Sequence, residues 1–289
     1  MCEYYDKTLA KNDMQTEGKE SSIPMSTTVR FEKDQCTEDC PPGRETRFRS
    51  LIGSANFAAR FNHPELTYAI SYLSRFLNNP TEEMLKAAEQ IWRYLRSNAK
   101  SPMVYSDKPR RDLANELGIP FQHTELTAFT DASYACEHDT GRSRGGYVIM
   151  WDGAAISRKS LIFETVAISA AEAEYMALAE CSRQVDYVLT FIAEAFPEIK
   201  LQTPVPIWSD SQAAVQIANN PGSFRERTKH INVRYHYVRE LIKTGRVKPN
   251  FMPRKFNIAD VFTTARGNPQ LAHATNVLRG TRPPGISCS

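Results

Sequence analysis

The sequence predicts an α/β fold with a small helical segment ahead of it, and three observations carry that prediction. Leu126-Thr127-Ala128-Phe129-Thr130 alternates like a half-buried strand, and Asp131 follows at its end. Val205-Pro206-Ile207-Trp208-Ser209 reads as a second short strand that ends at Asp210 and runs into a helix from Ser211 to Ala218. Between the two, Ser169 opens a helix whose small apolar stripe includes Ala170, Ala171, Ala177 and Leu178, a face that calls for an interior. An acid at the carboxyl end of a strand is where open α/β sheets place their ligands.

Taken in order, residues 1–45 are polar, with few aliphatics and the turn-forming Cys40-Pro41-Pro42-Gly43, which predicts a poorly ordered or docked, extended tail. Residues 46–105 form the helical segment. Within it Thr81 caps an amphipathic helix marked by Met84, Leu85, Ala88, Ile91, Trp92 and Leu95 and ending near Arg96. Residues 106–122, rich in charge and proline, read as a linker to an α/β domain over 123–266. There the Gly146–Trp151 strand turns through Asp152-Gly153 into Ala154–Ser157, a hairpin signature. The Ser169 helix runs to Ala195 and stops at Pro197. A helix through Tyr235 to Lys243 is closed by Gly245, and Arg246–Met252 makes the last strand. Residues 267–289 read as a weakly ordered tail with a short helix near Leu271–Leu278.

At 289 residues and 41% hydrophobic content the chain can bury a core of one or two domains. It has no run of eighteen apolar residues and its amino terminus is polar, so neither a membrane span nor a signal peptide is expected. The six cysteines are scattered. Cys36 and Cys40 have no second close Cys/His pair to complete a zinc site, and reduced thiols in an intracellular protein, cytoplasmic or nuclear, are the default. The net charge of +3 is uneven: residues 225–255 hold ten cations against Glu226 and Glu240, a segment of +8 against −5 elsewhere. Such a run is either a solvated face or a track for a phosphate backbone, and the interleaved Tyr235, His236 and Tyr237 favour the second.

Five acids stand out. Glu172, three residues after Ser169, has a structural job in a capping box. Glu174 has no such job: it either sits at the edge of the apolar stripe and reaches water, or is an ionised carboxylate on a buried face that needs a partner. Asp131 and Asp210 end their strands. Asp260 follows Asn257, a plausible N-cap, and an acid in a helix's first turn complements the macrodipole with no further function.

Five ordered blocks remove much of that ambiguity: Thr130-Asp131-Ala132, Ser169 to Leu178, Ser209-Asp210-Ser211-Gln212-Ala213-Ala214, Thr228 to His236, and Ala259-Asp260-Val261-Phe262-Thr263. In this order they resemble the ribonuclease H domain of copia-type retrotransposon polyproteins. Phe48–Ser54, Ser71–Phe76 and Asn79–Glu83 look like the helical tail of the reverse transcriptase that precedes it. The resemblance implies a ribonuclease H-like fold, a five-stranded mixed sheet with flanking helices. It implies that Asp131, Glu174, Asp210 and Asp260 are the catalytic, metal-binding residues. It further implies that Arg225, Arg227, Lys229, Arg234, Arg254 and Lys255 contact an RNA/DNA hybrid, with the rest of a reverse transcriptase as a further partner.

The chemistry agrees with that implication. Two carboxylates about 4 Å apart repel by roughly 4 kcal/mol at an effective dielectric near 20, so converging acids need cations. Oxygen-only ligands favour two Mg²⁺ ions, with Mn²⁺ as substitute, clamping the scissile phosphate of an RNA strand. Polymerase activity is not expected, because no Tyr-x-Asp-Asp tetrapeptide occurs. The sequence also departs from the family: no histidine lies between Phe251 and Asp260, Thr263-Thr264 replaces Thr-Lys, and Ser211 stands where asparagine is common. The alternative to a nuclease is a catalytically weak or inactive retroelement remnant that binds nucleic acid without cleaving it.

Overall fold

A computed structural model describes residues 2–12, 14, 20–32, 40–106, 126–220 and 229–281, with the side chains of residue 2 and residues 229–235 excepted. The chain divides into two units, Met1–Met103 with Thr264–Thr275, and Val104–Thr263 with Asn276–Ser289.

The first unit is helical: α1 (Cys2–Lys11), α2 (Arg44–Phe61), α3 (Thr67–Leu73) and α4 (Glu82–Ser97). Thr81 caps α4 as the sequence predicts, its Oγ1 accepting from the Met84 amide, and the stripe from Met84 to Leu95 is buried. Trp92 is fully buried there and donates its indole N–H to the Leu51 carbonyl at 3.0 Å, so the largest ring in the core has its one polar atom satisfied. Where the sequence predicts weak packing over 1–45, the described residues include α1, which buries Tyr5, Thr8 and Leu9, with Asn12 buried just past its end. The three helical residues lie on one face, but only two are apolar, which is why hydrophobic periodicity alone misses the helix.

The second unit holds a five-stranded sheet of order β3-β2-β1-β4-β5, built from β1 (Leu126–Glu137), β2 (Arg142–Trp151), β3 (Ala154–Ile162), β4 (Val205–Ser209) and β5 (Val247–Phe251). The first three strands are antiparallel, and β4 and β5 add in parallel. Among the described residues, three helices accompany it: α5 (Ala170–Ala195), α6 (Gln212–Asn219) and α7 (Lys229–Lys243). Leu126, Ala128, Ile149, Val205, Ile207 and Val247 from the strands pack with Leu178, Val185, Leu189, Ala214 and Val238 from the helices, so the core lies between sheet and helices. This is the mixed sheet with flanking helices that the motifs imply. A final helix, α8 (Asn268–Leu278), occupies the stretch where the sequence allows only a short helix in a weakly ordered tail.

Local chemistry sets most boundaries. Asp152 and Gly153 both take positive φ, 46° and 79°, as a two-residue hairpin turn requires. Ser169 accepts from the Glu172 amide at 3.1 Å, but the Glu172 carboxylate reaches the Ile168 amide at 2.8 Å, one residue further out than in a capping box. Gly245, at φ 69°, ends α7. Of the linker predicted over 106–122, only Ser106 is described, its amide donating to the Asp152 carbonyl at 2.7 Å; the rest lies outside the described residues, as do Cys36 and the residues after Thr281. Among the described residues, no helix is long and apolar enough to cross a membrane.

One boundary differs in a way that matters. The sequence ends β1 at Thr130, whereas the strand continues through Asp131 to Glu137, because β2 offers it a longer antiparallel partner: Asp131 pairs with Gly146, Ala132 with Gly145 and Ser133 with Arg144. Small residues and an irregularity between Ser133 and Glu137, where Ala135 has φ 46°, make that extension look like a turn in the sequence.

A candidate metal centre beside the sheet

The parallel pairing of β1 with β4 aligns Phe129 with Trp208. Asp131 and Asp210 each lie two residues beyond that pair, and since strand side chains repeat with a period of two, they continue the same face side by side. Glu174 comes to them from the first turns of α5. Among the described residues, the carboxylates of Asp131, Glu174 and Asp210 each offer an oxygen within 4.8 Å of the others. Glu174 is therefore not the solvated edge residue that its helix alone would allow.

The three are poorly provided for. Asp131 is only 5% exposed. Its burial pushes its pKa up to about 7; a hydrogen bond from Thr263 pulls the other way, and the charges of Asp260 and Asp210 add to the rise. Burial, followed by the charges of Asp131 and Asp210, pushes Glu174 up to about 9, opposed by a hydrogen bond from the Ala132 backbone. Glu174 Oε2 is buried with no hydrogen-bond partner among the described residues. Oxygen-only donors, shared repulsion and an orphaned oxygen fit a hard divalent cation, and no cysteine or histidine joins the group to favour zinc.

Asp260 stands outside that trio. It lies in a single-turn 3-10 helix, Ile258–Phe262, and its carboxylate is 3.8 Å from the guanidinium of Arg254, a side chain 74% exposed. Two residues that the sequence does not mark as site residues touch the acids instead. Asn257, besides capping that turn by accepting from Ala259 N at 3.1 Å, donates to the Thr130 carbonyl at 3.0 Å and to Asp210 Oδ1 at 3.3 Å. Thr263 donates its hydroxyl to Asp131 Oδ2. Ser211 turns out to cap α6 by accepting from Ala214 N at 3.2 Å.

The basic segment divides. Arg225 and Arg227 lie outside the described residues, as do the side chains of Lys229 and Arg234. Arg254 and Lys255 are exposed, Lys255 with its ammonium 4.7 Å from the Phe256 ring centre. By contrast, Arg246 pairs with Asp186 of α5 and donates to Thr190 Oγ1, while Arg239 donates to the Asn220 carbonyl at 2.9 Å. Tyr237 donates to Asp186 Oδ2 at 3.0 Å, so its hydroxyl serves packing between helices rather than a phosphate track.

No family model matches the chain. It is similar to the retrovirus-related Pol polyprotein from transposon TNT 1-94 of Nicotiana tabacum, 29% identical over 263 residues that make up 90% of this chain and 18% of that protein. It is equally similar to the corresponding polyprotein from transposon RE1 of Arabidopsis thaliana, 29% identical over 255 residues, 88% of this chain and 16% of the relative. The chain thus spans less than a fifth of the length of these curated relatives. Among solved structures it is similar to a ribonuclease H1 isolated from compost, at 17% identity and a TM-score of 0.35 over 48% of this chain and 92% of that one. Another is a foamy viral protease-reverse transcriptase in complex with an RNA/DNA hybrid, at 16% identity and a TM-score of 0.37 over 77% of this chain and 26% of that one. Relatives of this chain include retrovirus-related Pol polyproteins of plant transposons.

Proposed function

We propose that this chain is a metal-dependent endonuclease that hydrolyses the RNA strand of RNA/DNA hybrids. One observation carries the reading: three acids, far apart in the chain, bring their oxygens within 4.8 Å of one another on a mixed sheet while two of them are held above their ordinary pKa. The similarity to Pol polyproteins supports it. Divalent ions bound there, two Mg²⁺ with Mn²⁺ as substitute, would neutralise the acids, activate the attacking water and steady the leaving oxygen.

The side chains divide the remaining work. Asp131, Glu174 and Asp210 hold the site. Asp260, beside Arg254, supplies charge at its rim, and Arg254 and Lys255 meet the phosphate backbone without reading bases. Arg225, Arg227, Lys229 and Arg234 extend that contact. No nucleophilic side chain is required, because water attacks and the protein contributes position and charge.

A second reading, a chain that binds hybrids without cutting them, is favoured by Thr264, which stands where copia-type sequences carry a lysine. Purified protein assayed with Mg²⁺ or Mn²⁺ on RNA/DNA hybrid, duplex RNA and duplex DNA separates the two. The nuclease reading expects cleavage of the hybrid's RNA strand alone, falling more than about 100-fold in Asp131→Asn and Glu174→Gln, a loss larger than outer-shell substitutions give. Hybrid binding without cleavage by the unaltered protein would establish the second reading.

A further inference from the structure

We propose that Thr263 is a positioning residue for Asp131, and that Gly146 is the seat that lets it be one. This deepens the metal-centre reading and rests on it. Asp131 and Gly146 are direct partners across β1 and β2. Above that pair passes the end of the Ile258–Phe262 turn. A Cβ at Gly146 would lie 2.6 Å from Phe262 Cβ and 3.0 Å from Thr263 Cγ2, closer than side chains tolerate, so only a glycine allows the turn to come down onto the strands. Thr263, 2% exposed, then lies against Asp131 and donates its hydroxyl to Oδ2.

The hydroxyl has one proton and two acceptors in reach, Asp131 Oδ2 and the Asp260 carbonyl at 3.1 Å. Facing an ionised Asp131 it donates to the carboxylate, the stronger acceptor. One Asp131 oxygen committed to Thr263 fixes the carboxylate plane and so the direction of its other oxygen. Asn257, six residues earlier, does the same for Asp210 through its 3.3 Å bond. The segment from Asn257 to Thr263 therefore orients two of the three ligands, which gives it a role beyond the carboxylate of Asp260. Such orientation commonly carries 10–100-fold in metal affinity.

The test is Mn²⁺ binding by calorimetry to the full chain without substrate, alongside the Mg²⁺ midpoint for hybrid cleavage. Thr263→Val, which keeps shape and loses the hydroxyl, is expected to weaken Mn²⁺ binding about 10–100-fold and raise the Mg²⁺ midpoint, with Thr263→Ser restoring both to within about threefold. Gly146→Ala, checked for folding by circular dichroism, is expected to weaken binding without removing any polar atom. Should Thr263→Val bind Mn²⁺ as the unaltered chain does, or Thr263→Ser fail as Thr263→Val does, the positioning role is overturned while the metal centre stands, provided Asp131→Asn abolishes binding. If the unaltered chain takes up no Mn²⁺, or Asp131→Asn binds equally well, both fall together.

Discussion

Strand β1 carries two buried acids six residues apart, Asp131 and Glu137, and the fold treats them in opposite ways. Glu137, 3% exposed, receives the guanidinium of Arg144 from β2 at 2.9 Å, and Arg144, itself 1% exposed, also donates to Ser160 Oγ at 3.1 Å. Asp131 receives one hydroxyl and faces two further carboxylates. Both acids cost desolvation, yet among the described residues Glu137 has a guanidinium in direct contact, whereas Arg254 acts on Asp131 only through its charge. A buried charge matched by a neighbouring cation is structural, whereas buried carboxylates that converge on one another mark a candidate site.

The largest way to break this contrast is at Arg144. Arg144→Ala leaves Glu137 buried without its cation and is expected to lower stability by about 3–5 kcal/mol in urea unfolding, whether or not a divalent ion is present. Asp131→Asn is expected to act with the opposite sign in metal-free buffer. The Asp131 pKa is raised by folding, so the native state holds its proton more tightly than the unfolded state does. Metal-free stability is then undiminished below about pH 4 and is lost as pH climbs toward 7. Removing the charge should therefore stabilise the metal-free protein by an amount that grows over that window to the order of a few kcal/mol. Metal reverses the balance. Mn²⁺ should raise the unfolding temperature of the unaltered chain more at pH 8.5 than at pH 6, since the ligands must lose protons to bind, and should not raise that of Asp131→Asn. Equal gains at both pH values would mean that the buried acids do not take part.

The smallest effects lie on the surface. Arg254→Ala is expected to weaken hybrid binding a few-fold and to lower the slope of log affinity against log salt by about one, as loss of a phosphate contact does. Arg246→Ala should leave that slope unchanged and instead loosen α5, where Arg246 holds Asp186 and Thr190. An Arg246→Ala slope like that of Arg254→Ala would erase the distinction between structural and binding cations.

Much of the element structure was legible. The caps at Thr81, Ser169 and Asn257, the Asp152-Gly153 turn and the end of α5 at Pro197 all depend on atoms within a few residues of one another. The alternation in Leu126–Thr130 and Val205–Ser209 placed Asp131 and Asp210 each at the carboxyl end of a strand. What escaped was decided by partners distant in the chain. The continuation of β1 to Glu137 depends on β2, and α1 buries a face of two apolar residues and one polar, Tyr5, Leu9 and Thr8. Asp260, which the sequence groups with the other three acids, has its carboxylate 3.8 Å from the Arg254 guanidinium, and its charge acts on Asp131.

By itself, then, the sequence determined which segments are strands and helices and which acids were candidates, because periodicity, capping and turn chemistry are short-range. Only tertiary structure decided which acids meet, which cation is already spent on Glu137, and that Thr263 reaches Asp131 across 132 residues of chain. Contacts of that kind depend on strand register and on the absence of a side chain at Gly146, and neither leaves a local pattern to read.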